Sequence, residues 1–126
     1  MTRFWIGIIL LLILLGSSIG TTLAIPAFHS RLSQDLESAG KTVLSGDWEK
    51  ATALADSARA KWERCRHFVA SIADHEPLEQ MDSLFSQLEV YQNQLLPGDY
   101  AAVCIHLSQL SQAIGESQAL NWWNIL

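Results

Sequence analysis

Residues 47–72 read Asp47-Trp48-Glu49-Lys50-Ala51-Thr52-Ala53-Leu54-Ala55-Asp56-Ser57-Ala58-Arg59-Ala60-Lys61-Trp62-Glu63-Arg64-Cys65-Arg66-His67-Phe68-Val69-Ala70-Ser71-Ile72. Within them Trp48, Ala51, Ala55, Ala58, Trp62, Cys65, Val69 and Ile72 recur at alternating intervals of three and four, the spacing that lines up one face of an α-helix. Asp47 stands where an N-cap is needed, its carboxylate placed to accept a free backbone N–H. This stretch decides the fold class, because the rest of the chain repeats its rhythm.

Downstream, a helix from about Glu76 to Leu95 has Pro77 in its first turn and Met81, Leu84, Leu88, Tyr91 and Leu95 on one face. Leu96-Pro97-Gly98 interrupts it. A further helix starts at Asp99 and carries Tyr100, Val103, Leu107, Leu110 and Ile114, reaching toward Trp122. Upstream, Pro26 fits the first turn of a helix presenting Phe28, Leu32, Leu36, Ala39 and Val43 and ending near Gly46. No segment alternates with the period of a strand. With connections of only a few residues, neighbouring helices should lie antiparallel. The expected fold is all-α: one N-terminal transmembrane helix, residues 1–25, and an antiparallel bundle of about four helices in two helical hairpins, residues 26–126.

The transmembrane assignment rests on Phe4 to Ile25, 22 residues without a charge. At 1.5 Å per residue they reach roughly 33 Å, against a hydrocarbon thickness of about 30 Å. The second half, Gly16 to Thr22, is small and weakly polar, so cleavage of a signal peptide after Gly20 or Ala24 is the alternative to an anchor. Arg3 before the apolar run gives a signal-like layout, which places the N-terminus in the cytoplasm and the helical domain outside the cell membrane. Gly16 and Gly20 form a G-x-x-x-G pair, extended by Ala24, that lets another membrane helix approach closely, either a partner or a second copy. Small residues are also common in spans that pair with nothing.

A formal charge of −5 and a pI near 5.2 exclude a nucleic-acid partner, since phosphate backbones require a concentrated basic surface. The charge is unevenly spread. Residues 28–66 hold seven Lys or Arg against six acids, and residues 67–126 hold seven acids with no Lys or Arg. A hairpin turning near Asp74 to Glu76 sets Arg59 and Arg66 beside the stretch containing Glu79, Asp82 and Glu89, so intramolecular pairing is the plain reading and a lipid-headgroup or acidic-partner site the sharper one.

Candidate chemistry is sparse. Cys65-Arg66-His67 and Cys104-Ile105-His106 look paired, yet side chains two apart on a helix diverge by about 200° and cannot chelate one ion. A disulfide between Cys65 and Cys104 is disfavoured by their different depths below Asp47 and Asp99, and both are expected as small core residues. Asp74-His75-Glu76 could hold a divalent cation or move a proton, but carboxylates at a helix start also complement its dipole. No nucleophile elbow or phosphate loop accompanies them. The expectation is no catalytic residue, no metal and no cofactor, with a metal-dependent site on His75 and Glu76 as the remotest alternative.

Gly46-Asp47-Trp48 and Gly98-Asp99-Tyr100 repeat at an offset of 52, each opening the second helix of a hairpin: Gly ends one helix, Asp caps the next and the ring packs across the turn. The closing Leu120-Asn121-Trp122-Trp123-Asn124-Ile125-Leu126 gathers large apolar groups at a chain end, which must dock on the domain's own helices, a membrane interface or a partner.

The apolar N-terminal run, Gly46-Asp47-Trp48-Glu49-Lys50-Ala51, Trp62, Asp74-His75-Glu76 and the closing Trp122-Trp123 segment together resemble the domain-of-unknown-function family numbered 4363. The resemblance covers nearly the whole chain. It implies a short protein of Firmicutes with one membrane helix, a helical remainder and no established activity. It also implies a neighbour, a polytopic membrane protein of the YetF-like group. Pro77 departs from the acidic residue expected in relatives, which weakens a ligand-binding role for that run. The function expected is a membrane-tethered helical binding or accessory module. The alternative is a helical protein released by cleavage.

Overall fold

The computed structural model describes residues 1–71 and 74–125, with side chains except those of 21–26 and 119–125. Its elements are α1 (Thr2–Leu44), α2 (Trp48–Ala70), α3 (His75–Asn93) and α4 (Pro97–Ile125), and no strand occurs among the described residues. The protein is all-helical.

The first difference from the sequence reading is α1. The spacing puts Pro26 in the first turn of a new helix, whereas α1 runs unbroken for 43 residues. An interior proline removes one backbone hydrogen bond and ordinarily costs about 3 kcal/mol in a water-exposed helix. The cost is offset downstream, where α1 buries Leu32, Leu36, Ala39 and Val43 against its neighbours, since packing of an amphipathic face supplies most of a helix's stability. The apolar stretch and the first amphipathic face are therefore one rod. Thr2–Gly20 is long and apolar enough to cross a membrane, and none of its window is buried within the protein. Ser17 returns its hydroxyl to the Leu14 carbonyl at 3.0 Å, so this polar group is satisfied within the helix.

From residue 28 upward α1 is amphipathic, and Leu32, Leu36, Ala39 and Val43 are fully buried while Phe28 packs at the edge of the core. Gly46, at φ +93°, turns the chain, and Asp47 Oδ1 accepts the Lys50 N–H at 3.1 Å to start α2. Such a cap contributes about 1 kcal/mol. α2 buries Ala51, Ala55, Ala58, Trp62 and Val69, and α3 buries Leu78, Met81, Leu84, Phe85 and Leu88. Leu95, assigned above to the face of α3, instead lies past its end and is 65% exposed.

The start of α4 differs too. Pro97 opens it, not Asp99, because a fixed φ suits the first helical position and the missing N–H is no loss there. Gly98 and Asp99 fall inside the first turn, and the left-handed residue before the helix is Leu95, at φ +54°. The two Gly-Asp-aromatic copies thus share residues without sharing geometry.

Contacts between helices fix their directions. Gly40 faces Ala101 and Cys104, Ser33 meets Ser108, and His29 meets Ser111 and Gly115, so α4 descends as α1 rises. Lys61 pairs with Asp35 and Arg59 with Glu89, so α2 runs against both α1 and α3. α1 packs most extensively on α4, then on α2; α3 rests mainly on α4. The turns at 45–47 and 94–96 share the end far from the apolar rod, where the Trp48 and Tyr100 rings meet edge-on at 5.2 Å.

Candidate functional site

Two polar constellations sit in this frame, one inside and one between helices. The inner one lies on the α1–α4 seam. Ser33 and Ser108 hydroxyls are 2.7 Å apart, and the Ser111 hydroxyl reaches both the His29 carbonyl, 3.3 Å, and His29 Nδ1, 3.4 Å. All four side chains are buried, as is Gln118. The seam is close because its residues are small: a Cβ on Gly115 would stand 2.9 Å from His29 Cβ, and one on Gly40 3.2 Å from Cys104 Cβ.

His29 Nε2 and both amide atoms of Gln118 lie buried without a hydrogen-bond partner among the described residues. Each such atom costs about 1–3 kcal/mol. Burial pushes the His29 pKa below its usual 6.5; the adjacent Gln118 amide acts weakly the other way without closing a hydrogen bond. His29 is accordingly a neutral imidazole in a tight interior. The apolar periodicity does not single out residues 29, 33, 108, 111 and 118, because each is polar. The signal was present, since Ala101, Cys104, Ser108, Ser111, Gly115 and Gln118 follow the same three-four spacing on a second face of α4.

The second constellation joins α2 to α3. Asp82 accepts the Trp62 indole N–H on Oδ1 at 2.9 Å and the Arg66 Nε–H on Oδ2 at 2.7 Å, while Arg59 bridges Glu63 and Glu89 at 3.2 and 3.1 Å. The Glu89 hydrogen bond, foremost, raises the Arg59 pKa. The basic run of α2 therefore does meet the acidic run of α3, at Asp82 and Glu89.

Other singled-out residues are not brought together. Asp74, His75 and Glu76 are exposed at the start of α3, where Asp74 occupies the N-cap without a side-chain hydrogen bond. Among the described residues no three His, Cys, Asp or Glu side chains group closely enough to hold a metal ion. Cys65 and Cys104 are both free. Burial pushes Cys65 up to about 11 and Cys104 to about 12, so neither is a ready nucleophile at neutral pH. Tyr100 is fully buried, with its pKa also raised by burial. Gly16 and Gly20 are exposed, and nothing lies within 4 Å of where their Cβ atoms would be. The side chains of Trp122 and Trp123 lie outside the described residues.

What this geometry defines is a small helical domain continuous with an apolar N-terminal helix, its helices joined across an apolar core by the polar contacts just described. Residues 21–125 match the family described as Domain of unknown function (DUF4363), and the chain belongs to that family. No curated protein and no solved structure matches the chain.

Proposed function

We propose that the protein is a single-pass membrane-anchored module whose helical domain stands outside the cell membrane and accompanies an integral membrane partner. The observation that carries this reading is α1, in which a 19-residue apolar segment, wholly unburied by the protein, passes without a break into the core of the domain. An apolar surface of that extent is stable only in lipid or against another helix. Helical continuity across residues 20 and 24 favours an anchor over a released chain, because proteolysis acts on exposed, irregular backbone. Gly16 and Gly20 leave an open strip where a partner's helix fits, the YetF-like polytopic protein or a second copy. The reading assigns no catalysis, cofactor or metal; exposed Asp74, His75 and Glu76 act as helix-start residues.

The test is affinity purification of the tagged full chain from native membranes in mild detergent, beside a Gly16→Leu/Gly20→Leu variant, with partners and intact mass read by mass spectrometry. A polytopic protein recovered stoichiometrically with the wild type and lost from the variant supports the reading. A chain that returns alone, truncated near residue 24, overturns both anchor and partner in favour of a secreted helical protein.

A further inference from the structure

A groove of about 430 Å³ opens between α1 and α2, lined by Phe28, Arg31, Lys61, Arg64 and Cys65. Three of its five lining residues are cations in a chain whose net charge is −5. Two of the cations are uncommitted. Arg31 has no acidic partner among the described residues, and Arg64 spends only its Nε–H, on the Ala60 carbonyl at 3.3 Å. Lys61 is held by Asp35 at 2.7 Å, which fixes one wall. The floor, Phe28 and Cys65, is apolar.

Height gives the groove its meaning. Along α1, Phe28 stands about 4 Å and Arg31 about 9 Å beyond Ile25, the end of the span expected from the sequence, and Arg31 is the first formal charge past it. The polar headgroup layer occupies roughly the first 5–8 Å outside the hydrocarbon, and because helical side chains lean toward the helix N-terminus, the long Arg31 side chain reaches back from its backbone into that layer. The Lys61–Asp35 contact sets the register of α2, so Phe68, seven residues past Lys61, falls level with Phe28, seven residues before Asp35. Phe68 is 54% exposed, an aromatic ring turned outward at the height where rings settle into a membrane interface.

We propose that this groove binds the phosphate of an anionic glycerophospholipid, with Arg31 and Arg64 on the phosphate oxygens and Phe28 against the glycerol and upper acyl carbons. Guanidinium groups suit this task because they stay charged and donate two parallel N–H bonds. The same chemistry would accept free phosphate, but the apolar floor and the membrane height favour a lipid. The proposal rests on the anchor reading above.

Native mass spectrometry of the purified full chain in neutral detergent, titrated with phosphatidylglycerol, phosphatidylcholine or inorganic phosphate, tests it. The expected result is one phosphatidylglycerol adduct, at least tenfold weaker in Arg31→Gln/Arg64→Gln and unchanged in Arg59→Gln, whose cation is already paired on the α2–α3 face. Phosphatidylcholine should bind no better to wild type than to the double variant. Equal phosphatidylglycerol adducts in wild type and double variant overturn the proposal. So does occupancy by inorganic phosphate without a lipid adduct, or an acidic polypeptide, rather than lipid, retained through these arginines. If the mature chain proves to be cut near residue 24, the anchor falls separately. The same titration on the released chain then decides the groove: an arginine-dependent adduct keeps it and none removes it.

Discussion

Trp62 and Asp82 are joined by a 2.9 Å hydrogen bond from the indole N–H to a carboxylate that also receives Arg66, linking the most buried aromatic of α2 to the solvent edge of α3. The indole is 1% exposed, so removing its acceptor leaves a buried donor unsatisfied. Asp82→Ala should destabilise the domain by about 2–3 kcal/mol, lowering Tm by about 10 °C or more. Asp82→Asn, which keeps an acceptor for the indole, should cost less than half of that. Circular-dichroism melts of the two variants decide it, and equal losses would sink this account of the carboxylate.

His29 makes stability depend on pH. Its folded pKa lies below 6.5 because burial disfavours the imidazolium, whereas the unfolded chain protonates near 6.5. Between those two values the unfolded state binds more protons, so stability rises with pH: the contribution is full above 6.5 and is lost as pH falls below it. One group gives at most about 1.4 kcal/mol per pH unit. Urea denaturation at pH 7.5, 6.0 and 5.0 should show this decline in wild type and a smaller one in His29→Leu; identical slopes would remove His29 as the cause.

Gly115 sets the spacing of the α1–α4 seam. A side chain there meets the root of His29, which cannot swing away, so Gly115→Leu should cost about 3 kcal/mol despite the better helix propensity of leucine. Gly7→Leu, on open helix surface, should leave the melting temperature unchanged. A seam that opens without penalty would show as equal melts.

Leu95 adopts a left-handed backbone that a β-carbon disfavours, and its side chain is mostly exposed, so little packing compensates. Leu95→Gly should stabilise the domain by about 0.5–1 kcal/mol, a rise of a few degrees in Tm. A fall would show that the exposed leucine packs more than its strain costs.

The periodic apolar faces made the helices legible. Trp62, Met81, Leu107 and their neighbours fall where the three-four spacing puts them, and the Asp47 cap forms as its position demands. Charge segregation likewise foretold that Arg59 and Arg66 meet the acids of α3. Pro26 misled because breaking a helix is a tendency that packing can outweigh, and the residues after it are buried along about four turns of α1. Asp99 misled because a proline two residues earlier is already shaped for a first turn. The His29, Ser33, Ser108 and Ser111 layer escaped notice because polarity argues for the surface unless small size and exact spacing on two facing helices are weighed together.

The unbroken α1 has a mechanical consequence. From Gly20 to Leu44 it extends about 36 Å, and no hinge separates the part that would lie in lipid from the part that carries the domain. For a chain anchored as proposed, the attitude of the domain is the attitude of its mast: leaning by the roughly 20° typical of membrane helices sweeps the far tip, where Trp48 meets Tyr100, sideways by about 12 Å. A change in bilayer thickness that alters the lean would then be delivered, amplified by leverage, to whatever stands beside that tip.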